Sequence, residues 1–148
     1  MPIKFTSGNI LNDKSEALVN PVNAIGVSGK GLALEFKKKF PGMFKSYQEA
    51  CAKGIVQLGK IFMYETGSLE HPKFIICFPT KGHWKDSSNL ENIRQGLTHL
   101  KLIIDSYNIT SIALPKLGCG LGKLSWKTVR PIILEELNDS KSEIIIYV

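Results

Sequence analysis

Long apolar runs are missing from this chain. None approaches the roughly 20 residues that a membrane-spanning helix needs, and Met1-Pro2-Ile3-Lys4 opens without the apolar core of a signal peptide. Cysteine is scarce. Cys51, Cys77 and Cys119 are odd in number and show no C-x-x-C spacing. That argues against a disulfide framework or a structural zinc and fits a reducing cytoplasm. No metal site is expected and nothing calls for a cofactor. The standard nucleotide fingerprints are also absent: there is no G-x-x-x-x-G-K-[ST], and no G-x-G-x-x-G with an acidic residue about 20 positions on. This weakens NTPase and dehydrogenase readings. Internal repeats, low-complexity tracts and long linkers are lacking too. Acidic residues are outnumbered, 13 against 19 lysines and arginines, for a net charge of +6. Such a surface favours an anionic partner, whether nucleic acid, nucleotide or phosphorylated substrate, or is simply solvated lysine.

What is present suits one globular domain over residues 1–148, with 43% hydrophobic and 22% charged residues. Apolar runs of strand length predict strands at Ile3–Thr6, Ala17–Val19, Lys60–Thr66, Lys73–Phe78, Ser111–Leu114 and Glu143–Val148. Helical spacing predicts helices from Leu32 to Phe40, stopped by Pro41, from Met43 to Lys53, closed by Gly54, from Leu90 to Tyr107 and from Ser125 to Asn138. Pro79 is expected to end the fourth strand. Alternating strands and helices imply an α/β domain with helices on both faces of a mixed sheet. Ligands of such sheets bind outside the carboxyl ends of strands. Four irregular segments follow strand ends: Gly8–Leu11, Asn23–Gly31, Thr80–Asp86 and Gly118–Gly122.

Two of these segments are glycine-rich and run into helices. Gly118-Cys119-Gly120-Leu121-Gly122 follows a buried strand, and Pro21 to Gly31 carries Gly26, Gly29 and Gly31. Free N–H groups of such loops and of helix N-termini suit phosphate, and two such sites suggest a diphosphate; a tight turn is the plain alternative. Asn23 offers a donor and an acceptor to a ribose, whereas Asn20 beside Pro21 reads as turn chemistry. Lys81 sits where active-site residues of α/β sheets collect. A lysine there holds a phosphate as a cation or, neutral and desolvated, attacks an anomeric carbon. His83 and Trp84 could stack on a base or form a packing lid. Tyr147 reads as core or as a stacking partner for adenine. Cys119 has no readable histidine partner and reads as a small loop residue.

With Gly8-Asn9-Ile10, Asn20-Pro21-Val22-Asn23, Gly29-Lys30-Gly31 and Gly118 to Gly122 in this order, essentially the whole chain resembles a macrodomain. Phe78-Pro79-Thr80-Lys81, Gly82-His83-Trp84 and Leu114 to Leu121 resemble the branch containing the terminal ADP-ribose glycohydrolase, and within it the DarG-type antitoxins. The resemblance implies a three-layer α/β/α sandwich that binds ADP-ribose. It implies adenine contact by Asn9, with Ile10 beside it. It implies ribose contact by Asn23, and a diphosphate and distal ribose wrapped by Gly29, Lys30, Gly31, Thr80 and Gly118, Cys119, Gly120, Leu121, Gly122. Lys81 would be catalytic, with Tyr147 near adenine and His83 and Trp84 near base or DNA. The glycohydrolase pairs its lysine with an aspartate at the position that is Gly122 here, a departure that the DarG-type macrodomains are expected to share. The implied activity is removal of ADP-ribose from thymidine bases of single-stranded DNA, opposing a DarT-type toxin. Hydrolysis of glutamate- or aspartate-linked ADP-ribose on proteins, deacetylation of O-acetyl-ADP-ribose and binding without catalysis are the alternatives. A monomer is expected, and a second domain after the macrodomain in the longer antitoxin chains.

Overall fold

A computed structural model describes residues 3–148. Six strands form one sheet: β1 (Ile3–Thr6), β2 (Ala17–Asn23), β3 (Phe62–Glu65), β4 (Phe74–Lys81), β5 (Ser111–Leu114) and β6 (Glu143–Tyr147). Their order is β1-β6-β5-β2-β4-β3, parallel except for β3 against β4. Helices α1 (Gly31–Lys39) and α2 (Pro41–Ala52) cover one face; α3 (Leu90–Ser106) and α4 (Trp126–Leu137) cover the other. A short 3-10 turn spans Ile10–Asn12. The expected α/β/α sandwich is therefore the fold observed.

Strand alternation builds the two cores. Ala17, Val19, Ile76 and Phe78 point into the α3/α4 side, and Leu18, Val22, Ile75 and Cys77 into the α1/α2 side. All eight are buried because β2 and β4 lie in the middle of a covered sheet. Gly96 of α3 is a close-approach position: a Cβ there would run into the Phe78 ring. That lets α3 settle directly onto β4.

The prolines behave differently from the sequence expectation. Pro41 does stop α1, but it also occupies the first turn of α2, where its missing N–H costs nothing. Pro79 does not end β4, which continues to Lys81. Likewise β2 runs through Pro21 to Asn23 rather than turning into a loop. The β2–β5 pairing lasts only for Ala17–Ile112 and Leu18–Ala113. Beyond it, Pro21 is paired on the β4 side alone, so a missing donor is tolerated there. The early end of that ladder splits the sheet and opens a crevice at the carboxyl ends of β2 and β5.

Candidate functional site

The two strands flanking the split carry the polar residues. Val22 pairs with Pro79 but Asn23 pairs with Lys81, so Thr80 is an extra residue in β4. Such a bulge re-aims side chains, and here it sets Asn23 and Lys81 directly across from each other. The crevice beside them is a cleft of about 850 Å³. Its walls include Asn23, Ser28 to Ala33, Thr80, Lys81, Trp84 and most of the Gly118–Lys123 segment, with Tyr147 at one end.

Lys81 bridges two loops. Its Nζ donates to the Trp84 carbonyl at 2.9 Å and faces the Leu121 carbonyl at 3.5 Å. Partial burial holds its pKa below the usual lysine range; Asp86 pulls it back up and Lys123 pushes it further down. Lys30, Lys85, Lys116 and Lys123 also line the cleft, and among the described residues no carboxylate does. The cleft is thus cationic and suited to an anion.

Asn23 is buried and spoken for. Its Oδ1 accepts from Tyr47 Oη at 2.8 Å and from the N–H groups of Ile25 and Val27. Its Nδ2 donates to the Val27 carbonyl at 2.7 Å, leaving one N–H for a ligand. The Asn23 carbonyl lies at the same 2.8 Å from Tyr47 Oη, so the single hydroxyl proton is shared between the two Asn23 oxygens. Sequence reading missed Tyr47; the signal was a tyrosine on the buried Met43–Tyr47–Ala50 face of a helix, where a hydroxyl needs a partner.

The first glycine loop runs into the N-terminus of α1. Lys30 caps that helix without a side-chain hydrogen bond, and Gly31, Leu32 and Ala33 of its first turn, whose N–H groups have no acceptor within the helix, line the cleft. The second loop is held differently. Ser88 N–H donates to the Gly122 carbonyl at 2.9 Å, and Leu124 N–H to the Gly118 carbonyl at 2.8 Å. A Cβ on Gly122 would lie 2.5 Å from the Gly118 oxygen and overlap Ser88 Oγ. Gly29 and Gly120 have ordinary φ and no protein neighbour at their Cβ positions. Their lack of a side chain keeps the cleft open. Leu121 meets Gly31 across the gap, its Cδ1 lying 3.4 Å from where a Gly31 Cβ would stand.

Thr80 is buried in the wall. Trp84 lines the mouth, half-exposed, with Lys85 Nζ 5.0 Å over its ring. The His83 ring lies 5.3 Å from the Trp84 ring but is not part of the lining. Cys119 is outside it as well; its Sγ turns to the Leu117 carbonyl and burial pushes the thiol up, away from thiolate chemistry. Asn9 and Ile10 are also outside the lining. Asn9 Oδ1 caps the short turn through Leu11 N–H, and Ile10 is buried in the α1/α2 core. They connect to the cleft indirectly: that turn leads into Asp13, whose Oδ2 accepts from Tyr147 Oη at 2.6 Å. Burial and this carboxylate push the tyrosine up to about 12, so it stays a neutral donor.

A family model for the Macro domain matches residues 19–133. The chain belongs to the macrodomain family. Three relatives sharpen the comparison. The DNA ADP-ribosyl glycohydrolase of Thermus aquaticus is 47% identical over 135 residues, covering 91% of this chain and 38% of that protein. The macrodomain of Mycobacterium tuberculosis DarG superposes with a TM-score of 0.96 at 44% identity, over 98% of this chain and 96% of that one. Thermosipho africanus DarTG, solved in complex with ADP-ribose, superposes with a TM-score of 0.91 at 33% identity, over 98% of this chain and 41% of that one. The chain therefore spans under half the length of the curated DNA ADP-ribosyl glycohydrolases it matches. As a macrodomain, it carries its cleft where this fold splits the sheet.

Proposed function

We propose that this macrodomain binds ADP-ribose in the cleft and hydrolyses its bond to thymidine bases in single-stranded DNA, countering a DarT-type toxin. The observation that carries the reading is the Asn23–Lys81 pair, set by the bulge at the floor of a cleft lined with five lysines and no carboxylate. The diphosphate lies between the α1 N-terminus and the Gly118–Gly122 loop, whose N–H groups stabilise it without rearranging. Asn23 presents its spare N–H to the distal ribose. Tyr147 marks the adenine end. Lys81 reaches the anomeric carbon C1″ from the opposite end, where Trp84 offers a face to the base.

In hydrolysis the C1″–nitrogen bond breaks with its electron pair going to the thymine ring nitrogen. Water adds to C1″ and gives up one proton, and the departing base gains one. Lys81 serves this by donating to the leaving nitrogen or by stabilising the charge that develops there. A duplex would hide that nitrogen, so the strand is single. The name of the Thermus aquaticus relative, a DNA ADP-ribosyl glycohydrolase, supports DNA as the substrate class. Gly122 weighs against the protein-linked alternative, because its site has no space for a carboxylate beside the lysine.

The test compares wild type and Lys81→Ala on thymidine-ADP-ribosylated oligonucleotide and on glutamate-ADP-ribosylated protein. Release from the oligonucleotide is expected from wild type only, with ADP-ribose affinity retained in the variant. Equal turnover by Lys81→Ala removes the lysine mechanism. Release from protein alone moves the substrate to acidic side chains, and release from neither leaves a reader.

A further inference from the structure

Five lysines line the cleft, and the glycine loop offers them no counter-charge. The carboxylate nearest in function comes from the other side, on the turn that follows β4. Asp86 N–H donates to the His83 carbonyl at 3.0 Å, and Asp86 Oδ2 accepts from His83 N–H at 3.0 Å. Lys85 N–H donates to His83 Nδ1 at 3.1 Å. These bonds close a four-residue turn in which the Trp84 carbonyl faces Lys81 Nζ. Asp86 Oδ2 also lies 3.6 Å from the Cβ position of Gly82, the residue directly after Lys81.

We propose that Asp86 is the carboxylate partner and positioning residue of Lys81. It acts in two ways. Its side chain locks the turn that aims the Trp84 carbonyl at the ammonium. Its charge offsets Lys123 of the glycine loop, which acts directly on Lys81, within a cleft that Lys116 after β5, Lys30 before α1 and Lys85 on the same turn also line. Tyr147, the remaining titratable group of the lining, is held neutral at the far end. Partial burial lowers Lys81, and Asp86 is the one acidic group that raises it. The geometry and the charge point the same way. This proposal rests on Lys81 being the reacting lysine, and its test separates the two.

The variants are Asp86→Asn, which keeps an acceptor for His83 N–H but loses the charge, and Asp86→Ala, which loses both. Asp86 is exposed, so neither threatens the core. Lys81 ionisation is read directly from the side-chain 13Cε resonance in lysine-labelled protein, assigned by its loss in Lys81→Arg. In parallel, the pH profile of ADP-ribose release from a thymidine-ADP-ribosylated oligonucleotide is recorded. Asp86→Asn is expected to move the Lys81 midpoint to lower pH. The corresponding limb of the rate profile moves the same way, whether the charged or the neutral amine is the active form. Asp86→Ala adds a fall in kcat of up to about a hundredfold from misplacement, with KM held. An unchanged midpoint in Asp86→Asn overturns the proposal. So does loss confined to Asp86→Ala with a wild-type profile in Asp86→Asn, which makes Asp86 a turn clamp only. If Lys81→Ala turns over normally, the lysine reading fails, while the resonance midpoint still decides whether Asp86 partners Lys81.

Discussion

The two glycine loops grip the same cleft by different means. The Asn23–Gly31 loop is shaped by side chains. Asn23 gathers Tyr47, Ile25 and Val27 around one amide, and Gln48 Nε2 adds a bond to the Gly26 carbonyl at 3.3 Å. The Gly118–Gly122 loop is shaped by backbone and by lack of space. Ser88 and Leu124 N–H groups hold its carbonyls, and Ser88 packs where side chains on Gly118 and Gly122 would stand. A loop held by hydrogen bonds loses them one at a time. A loop held by steric fit fails when an atom is added where it is packed, at Gly118 or Gly122. The difference also fits their tasks. In the proposed site the first loop presents a donor amide of fixed orientation, whereas the second lies against the ligand and presents the Leu121 carbonyl to Lys81.

Gly122→Asp tests the steric side and carries the largest effect. The new Cβ meets the Gly118 oxygen, so the loop must move. We expect a stability loss of about 3 kcal/mol, a fall in Tm of roughly 6–12 °C for a domain of this size. ADP-ribose affinity should drop with it, and the added carboxylate should not accelerate release. A crystal structure of the variant with the wild-type loop path, or unaltered affinity by calorimetry, would show that the fit is looser than drawn here.

Asn23→Ala attacks the hydrogen-bonded side. The Ile25 and Val27 N–H groups lose their acceptor and the Val27 carbonyl loses its donor, whereas the single Tyr47 hydroxyl proton keeps the Asn23 carbonyl. The expected cost is about 2 kcal/mol by chemical denaturation, together with weaker ADP-ribose binding. Tyr47→Phe is the milder version. The ring still fills the core, and Asn23 Oδ1 retains two backbone donors, so about 1 kcal/mol is expected. Affinity that falls as far in Tyr47→Phe as in Asn23→Ala would mean that the hydroxyl alone orients the amide.

This contrast explains which parts of the molecule could be read in advance. The strands, the helices and both glycine loops follow from apolar periodicity and turn residues, which act locally. The place of Lys81 at the cleft was legible because it follows the end of a buried apolar run, where ligand-binding residues of α/β sheets collect. Its pairing with Asn23 was not, because it depends on a bulge at Thr80 and on prolines that continue their strands. Pro21 and Pro79 break strands in isolation; here the split sheet and the one-sided pairing of β2 make Pro21 harmless. Nothing local marks Ser88 or Asp86. Ser88 matters because α3 starts beside a loop 30 residues later, and Asp86 because its own turn folds back toward Lys81. Asn9 and Ile10 illustrate the reverse case, a motif whose residues lie outside the cleft lining, in a turn that leads into Asp13, the acceptor for Tyr147.

Gly120→Ala is the smallest change and the sharpest. Gly118 and Gly122 are glycine for the protein's own packing, so altering them confounds fold with binding. Gly120 has ordinary φ, and a Cβ there meets no protein atom. Its stability change should stay within about 0.5 kcal/mol. The methyl group instead points into space at the cleft surface, so ADP-ribose should bind more weakly, and Gly29→Ala should behave alike in the first loop. Calorimetric titration beside a denaturation curve separates the two quantities. Weaker binding at unchanged stability would mean that the ligand passes against both loops. Unchanged binding in Gly120→Ala, with loss in Gly29→Ala, would confine the ligand to the side-chain-built loop and leave the sterically built loop with the Lys81 contact alone.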